Sequence, residues 1–258
     1  LLYAQDAASE MAAAINESKQ VVEEAPKPVY WKKGIKTTVN FGQTGLVNWA
    51  AGGYNTFNLR AYIDGNINYA KDRITFDNRL QLEYGFLYSA DKPILQKSDD
   101  RIYFESKFGF KIDAKNLSIT ANFDFKSQFT KGFTYPKSVT PADPEKGVTP
   151  EDWKRERTLK SSFRAPAYTN LGIGINYNPW KWLNINFAPL TGGLVIVTLP
   201  ELRKSYGNDE DKSVRFEFGA QLKIDAQVAI NDVFSYTTQI VLFSNYLKNP
   251  QNFRVNWD

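Results

Sequence analysis

The chain has 258 residues, 42% apolar and 15% aromatic, with a net charge of +4 and a mean hydropathy of −0.45. It contains neither cysteine nor histidine, which excludes disulfides, thiolate chemistry, Ser-His-Asp catalysis and the usual zinc sites. Both signs of charge are spread along the chain without a basic stripe, which argues against nucleic acid as a partner, and no apolar run approaches the roughly 18 residues of a transmembrane helix.

Residues 1–4, Leu-Leu-Tyr-Ala, read either as the tail of a secretory signal cleaved after Ala4 or as a chance apolar tetrapeptide. Residues 5–30 form a second segment. Its Ala-, Glu- and Lys-rich stretch at 7–25 favours a short helix or a loose periplasmic tether, ended by Pro26 and Pro28. Strands are predicted after Trp31, so 31–258 reads as one β domain.

The predicted strands follow in order. The first, 34–47, places Ile35, Thr37, Val39 and Phe41 on one face. In the second, 55–70, Phe57, Leu59, Ile63 and Ile67 oppose Asn58, Arg60, Asp64 and Asn66. In the third, 73–89, Ile74, Leu80, Leu82 and Phe86 oppose Asp77, Arg79, Gln81 and Glu83. The fourth, 101–113, sets Ile102, Phe104 and Phe108 against Arg101, Glu105 and Lys107, and the fifth, 117–130, sets Ile119, Phe123 and Phe125 against Asn122, Asp124 and Lys126. The sixth spans 168–178. The seventh starts at Leu183, and Pro189 and Gly192-Gly193 break it, as a bulge or bend would. The eighth, 213–230, alternates without a missed step, with Arg215, Glu217, Lys223 and Asp225 on its polar face. A ninth spans 233–247, and a tenth begins near Phe253. Strands of this length suit a tilted bilayer crossing of roughly 9–11 residues.

Short connections at 70–72, 114–116, 178–182 and 231–232 alternate with longer ones at 46–54, 90–100, 131–167 and 199–212. Short periplasmic turns and long external loops are the habit of outer-membrane barrels. The expected fold is therefore an all-β, transmembrane, antiparallel up-and-down barrel of ten to twelve strands. The chain stops barely inside the tenth strand, so a truncated C-terminus is expected. A soluble barrel of the lipocalin kind, with its apolar face turned inward on a greasy ligand, has the same alternation and stays open at this point.

The first hairpin carries a distinctive pattern: Gln43, then Asn48-Trp49, two small residues, and Gly52-Gly53, preceded by Tyr30-Trp31-Lys32-Lys33-Gly34. It resembles a set of uncharacterised Bacteroidota outer-membrane barrels known only as a domain of unknown function. The resemblance implies an outer-membrane barrel in a Gram-negative cell and brings no catalytic residues. Read from the residues alone, 48–53 is a tight loop in which the two glycines take positive φ and Trp49 sits at a membrane interface.

Arg60, Asp64, Asp77, Arg79, Glu83, Glu105, Lys107, Asp124, Lys126, Arg215, Glu217, Lys223 and Asp225 are the expected lumen-facing residues. Their interleaved signs point to cross-strand pairing rather than acid–base catalysis. The acidic run at 207–211 lacks the spacing of an EF-hand loop and reads as solvated charge. In the loop 131–167, Thr149 and Pro150 predict a short helix over 150–160, which reads first as a solvated face and otherwise as a plug for the lumen, a cover for the mouth or a dock for a partner. Trp153, Arg155, Arg157, Lys160 and Arg164 are its candidates for a partner protein or glycolipid phosphate. No cofactor and no metal are expected. The expected partners are outer-membrane lipid, lipopolysaccharide and other outer-membrane or periplasmic proteins. The leading function is a non-enzymatic structural or accessory subunit of an envelope complex, and the alternative is a narrow passive channel for small polar solutes.

Overall fold

The structure, a computed structural model, describes residues 29–48, 52–112, 116–231 and 234–257. The chain divides into two units, Leu1–Tyr30 and Trp31–Asp258. The signal remnant and tether expected over 1–30 lie outside the described residues except for the last two positions.

The second unit is built from β1 (Trp31–Thr44), β2 (Thr56–Lys71), β3 (Ile74–Ser89), β4 (Lys92–Lys111), β5 (Leu117–Ser127), β6 (Gly132–Thr134), α1 (Pro150–Glu156), β7 (Thr158–Ser161), β8 (Ala167–Trp180), β9 (Leu183–Ile196), α2 (Pro200–Arg203), a 3-10 turn (Lys204–Tyr206), β10 (Val214–Ala229), β11 (Ser235–Asn245) and β12 (Phe253–Trp257). Ten strands form one antiparallel sheet in the order β1-β2-β3-β4-β5-β8-β9-β10-β11-β12, and β6 and β7 pair separately. Each long strand therefore lies beside the strands next to it along the chain, the up-and-down order expected. β1 and β12 are the edges, and no pairing between them is present among the described residues. No helix among the described residues is long and apolar enough to cross a membrane.

Two segments differ from expectation, and a third behaves as read. The stretch 90–100 is not a loop: β3 and β4 continue past each other to a turn at Ala90-Asp91, with Gly85 opposite Asp99 and Ser89 opposite Lys92. Its alternation is invisible because Lys97, Ser98, Asp99 and Asp100 are polar on both faces. The long connection after β5 contains the β6–β7 hairpin, and α1 stops at Glu156 because 158–161 pairs as a strand. In the seventh predicted strand the expected bulge is present at Pro189. β9 runs through Gly192-Gly193 to Ile196, and Pro189 sits in a bulge, with register shifts against both β8 and β10. An extra, unpaired residue is where a proline without an N–H fits inside a sheet.

The sheet is curled with its polar face concave. Lys223 on β10 pairs with Glu105 on β4, four strands away in the sheet. At about 4.8 Å per strand these backbones would lie ~19 Å apart in a flat sheet, beyond the combined reach of the two side chains. Lys107 Nζ also reaches Asn176 Oδ1 at 2.5 Å, and Arg254 Nη2 reaches Glu217 Oε2 at 2.8 Å, each across two strand positions. Burial follows the curl and is inverted relative to a soluble fold. Thr120 is 1% exposed and Asn186 3%, whereas Leu171 is 57% and Ile173 53% exposed. The small apolar core of Ala165, Val195, Val197 and Leu202 lies at the end that carries the long connections, where α2 and β7 pack on the end of β9.

Candidate functional site

The alternation of each strand puts every expected lumen residue on the concave face. The register aligns them in rows: Asp64 with Gln81, Asp77 with Lys107, Arg79 with Glu105, and Glu105 with Asp124. Most of these charges are neutralised in place. Arg79 Nη2 binds Asp64 Oδ2 at 2.6 Å, and Gln81 donates to Tyr62 and Asp64. Arg60 holds Glu83 and lies 3.6 Å from Asp99. Glu217 is gripped by Arg215 at 3.0 Å and Arg254 at 2.8 Å. Gln239 donates to Asp225 at 2.6 Å, and Asn170 donates to Asp124 at 2.8 Å. The expectation of paired, structural charges thus describes the geometry, with partners the sequence did not assign: Glu83 takes Arg60, and Lys223 takes Glu105.

Between β3, β4, β5 and β8, near the end with the long connections, lies a cavity of about 310 Å³. Glu83, Asp99, Asp100 and Arg101 line it with Lys126, Gln128 and Tyr168. Asp100 accepts from the backbone N–H groups of Phe129 and Thr130 and pairs with Lys97 at 2.7 Å. Asp99 and Asp100 escaped the sequence reading because their segment was taken for a loop. Arg254 escaped it because the tenth strand was barely traced. Arg101 was visible on the polar face, yet nothing in the sequence marks it as differing from its neighbours.

The loop candidates are largely engaged within the protein. Trp153 is buried, with Lys92 Nζ 5.6 Å from its ring centroid. Arg155 binds Asp152 at 2.7 Å and donates to the Thr140 carbonyl, and Arg157 lies 3.7 Å over the Phe133 ring. Arg164 lies over Phe163, and the Lys160 carbonyl accepts from the Tyr206 hydroxyl. Asp152 organises this region. The backbone N–H of Thr149, the Thr149 hydroxyl, the Ala142 N–H and Arg155 all donate to its carboxylate and hold it well below the usual carboxylate range. In the acidic run, Asp209 pairs with Lys212 and Glu210 with Lys204. No group of three or more His, Cys, Asp or Glu among the described residues is arranged to hold a metal ion. In the first hairpin Gly52 and Gly53 adopt φ of 87° and 110°, as expected, while Trp49 lies outside the described residues.

Fold and site together define an antiparallel β protein with a charged, self-paired concave face and an apolar outer face. Residues 41–133, from the end of β1 into β6, match the model of a family described as protein of unknown function (DUF3078), which bears out the resemblance to an uncharacterised family. No curated protein matches the chain.

Proposed function

We propose that this chain is an integral outer-membrane barrel of a Gram-negative bacterium, serving as a non-enzymatic structural or accessory subunit of an envelope complex. The carrying observation is the inverted burial: aliphatic and aromatic side chains face out along the strands while Asn, Thr and carboxylates are enclosed. A lipocalin-like barrel needs the opposite arrangement. Soluble monomers rarely expose contiguous apolar patches beyond a few hundred Å². On β1 the outward residues run from Trp31 to Phe41, ten steps along the strand. At ~3.4 Å per step and a tilt of roughly 40° they span ~26 Å, close to the apolar band of about 25 Å in outer-membrane barrels. Aromatic pairs mark both ends of that band. Trp31–Tyr69 and Trp180–Trp182 lie at the short-turn end, with Phe41–Phe57 and Phe218–Tyr246 at the other. Closure of the barrel would join β1 to β12, and ten strands in sequence order curled toward their polar face support it.

The Lys223–Glu105 bridge across the concave face supports a filled interior, as in the smallest barrels. That favours a structural role over conduction. The cavity of about 310 Å³ is the observation on the side of a narrow passive channel. The test is a mild-detergent pull-down of the full chain from native membranes, followed by mass spectrometry and planar-bilayer recording. A stoichiometric set of envelope proteins with no conductance supports the subunit. A lone barrel with unitary current steps replaces it with the channel, and recovery in the soluble fraction sinks both.

A further inference from the structure

The cavity near the long connections holds more cations than its own carboxylates match. Its carboxylates are already matched: Glu83 by Arg60, Asp99 by Arg60 and the Ser98 hydroxyl, Asp100 by Lys97 and two backbone N–H groups. Arg101 and Lys126 have no such match. Neither forms an ion pair among the described residues, although Arg101 stands directly opposite Glu83 in the register. Arg101 Nε is buried and has no hydrogen-bond acceptor, with the guanidinium 5.1 Å from the Tyr103 ring centroid. Leaving a charged donor buried and unmet is costly, so such a group marks a place where an acceptor belongs. Lys126 pairs with Tyr103 in the neighbouring ladder, which makes it the diagonal neighbour of Arg101, roughly 7–8 Å away by sheet geometry. The local group counts four cations to three carboxylates, so an anion would complete it.

We propose that this cavity binds a small organic oxyanion, a phosphate- or carboxylate-bearing solute. Arg101 and Lys126 hold the charged group. The guanidinium fork fits two oxygens of such a group, and the lysine adds a point charge. Tyr168 offers a hydroxyl at the wall. Gln128 already donates its amide to the carbonyls of Ser162 and Pro166, which leaves its oxygen free to accept from a ligand hydroxyl. A volume of about 310 Å³ suits a solute the size of a monosaccharide phosphate. A free solute, rather than a lipid headgroup, is the occupant, because the cavity opens on the concave face, opposite the apolar one. The inference goes beyond the envelope-subunit role, and its free-solute assignment rests on the membrane-barrel reading.

The test is titration calorimetry on the detergent-solubilised full chain, with inorganic phosphate and glucose 6-phosphate as probes. Saturable binding is expected, tighter for glucose 6-phosphate. Arg101→Gln should weaken it at least tenfold and Lys126→Gln several-fold, while Lys181→Gln, an equal charge change in the distant β8–β9 turn, stays within twofold. Lys126 is exposed on a formed strand, so its variant reports even where Arg101→Gln fails to fold. Absence of saturable heat with either probe overturns the proposal, as does equal affinity in Lys126→Gln and the parent. Binding seen only with vesicles carrying lipopolysaccharide overturns the free-solute assignment.

Discussion

Replacing Ile173 with arginine separates a lipid-facing outer surface from a water-facing one. Ile173 lies in the middle of β8, between Leu171 and Ile175 on the same face, with Ala121 and Leu190 beside it in the register. It is 53% exposed. Were that face wet, Ile173→Arg would be an ordinary surface change, within about 0.5 kcal/mol of the parent. Against hydrocarbon, an arginine at the bilayer midplane of a barrel costs about 2–4 kcal/mol. That corresponds to a roughly 30- to 700-fold fall in the folded-to-unfolded ratio. Tyr177, four residues toward the short-turn rim on the same face, supplies the depth control. It lies ~10 Å closer to the interface at ~3.4 Å per residue and a tilt of roughly 40°, so Tyr177→Arg should cost only about 0–1 kcal/mol. Denaturant titration of both variants refolded into lipid vesicles measures the two values. Equal costs at both depths, or a parent that folds equally well in buffer without lipid or detergent, refutes the reasoning.

Lys223→Met strands Glu105 on a mostly enclosed face, where both side chains of the pair are about one-fifth exposed or less. The same titration should show a loss of about 2 kcal/mol, reduced from the fully buried case by residual solvent, and Lys223→Met with Glu105→Gln should recover much of it. Gly174→Ala puts a Cβ 2.1 Å from the Phe187 carbonyl oxygen at the β9 bulge, whereas a Cβ on Gly45 meets nothing within 4 Å. Gly174→Ala should therefore cost about 1–3 kcal/mol and Gly45→Ala less than 0.5 kcal/mol, about the size of an ordinary surface change. Asp152 is depressed in the folded state, so its contribution is complete above the ordinary carboxylate range and is lost as pH falls through the lower folded value. Acidification below the ordinary range should release Trp153, seen as a red-shifted fluorescence component, and Asp152→Asn should show that shift already at neutral pH.

Strand-by-strand alternation was legible without coordinates, because period 2 in side-chain chemistry is the period of the pleat. It located ten strands in order and placed Arg60, Glu105, Lys223 and their companions on one face. It failed at 92–100, where both faces are polar and no period exists to read. At β9 the breaker Pro189 gave the expected bulge, although how far the strand continues beyond it is defined by the neighbouring strands. The capping logic of Thr149 and Pro150 placed α1, but its end depended on pairing between β7 and the distant β6.

What the sequence determined alone is therefore what is local: the ten strands of the main sheet, the sorting of side chains to two faces, and the class of chemistry excluded by having neither cysteine nor histidine. Strand length and the order of short and long connections favoured an enclosed polar face, but alternation itself is symmetric under inversion and leaves that choice open. The curl of the sheet decided that, by bringing Glu105 on β4 to Lys223 on β10 across 118 residues of chain. The same curl decided which charges cancel and which, at Arg101 and Lys126, are left without a counter-charge, because pairing across strands depends on distances that no single segment encodes.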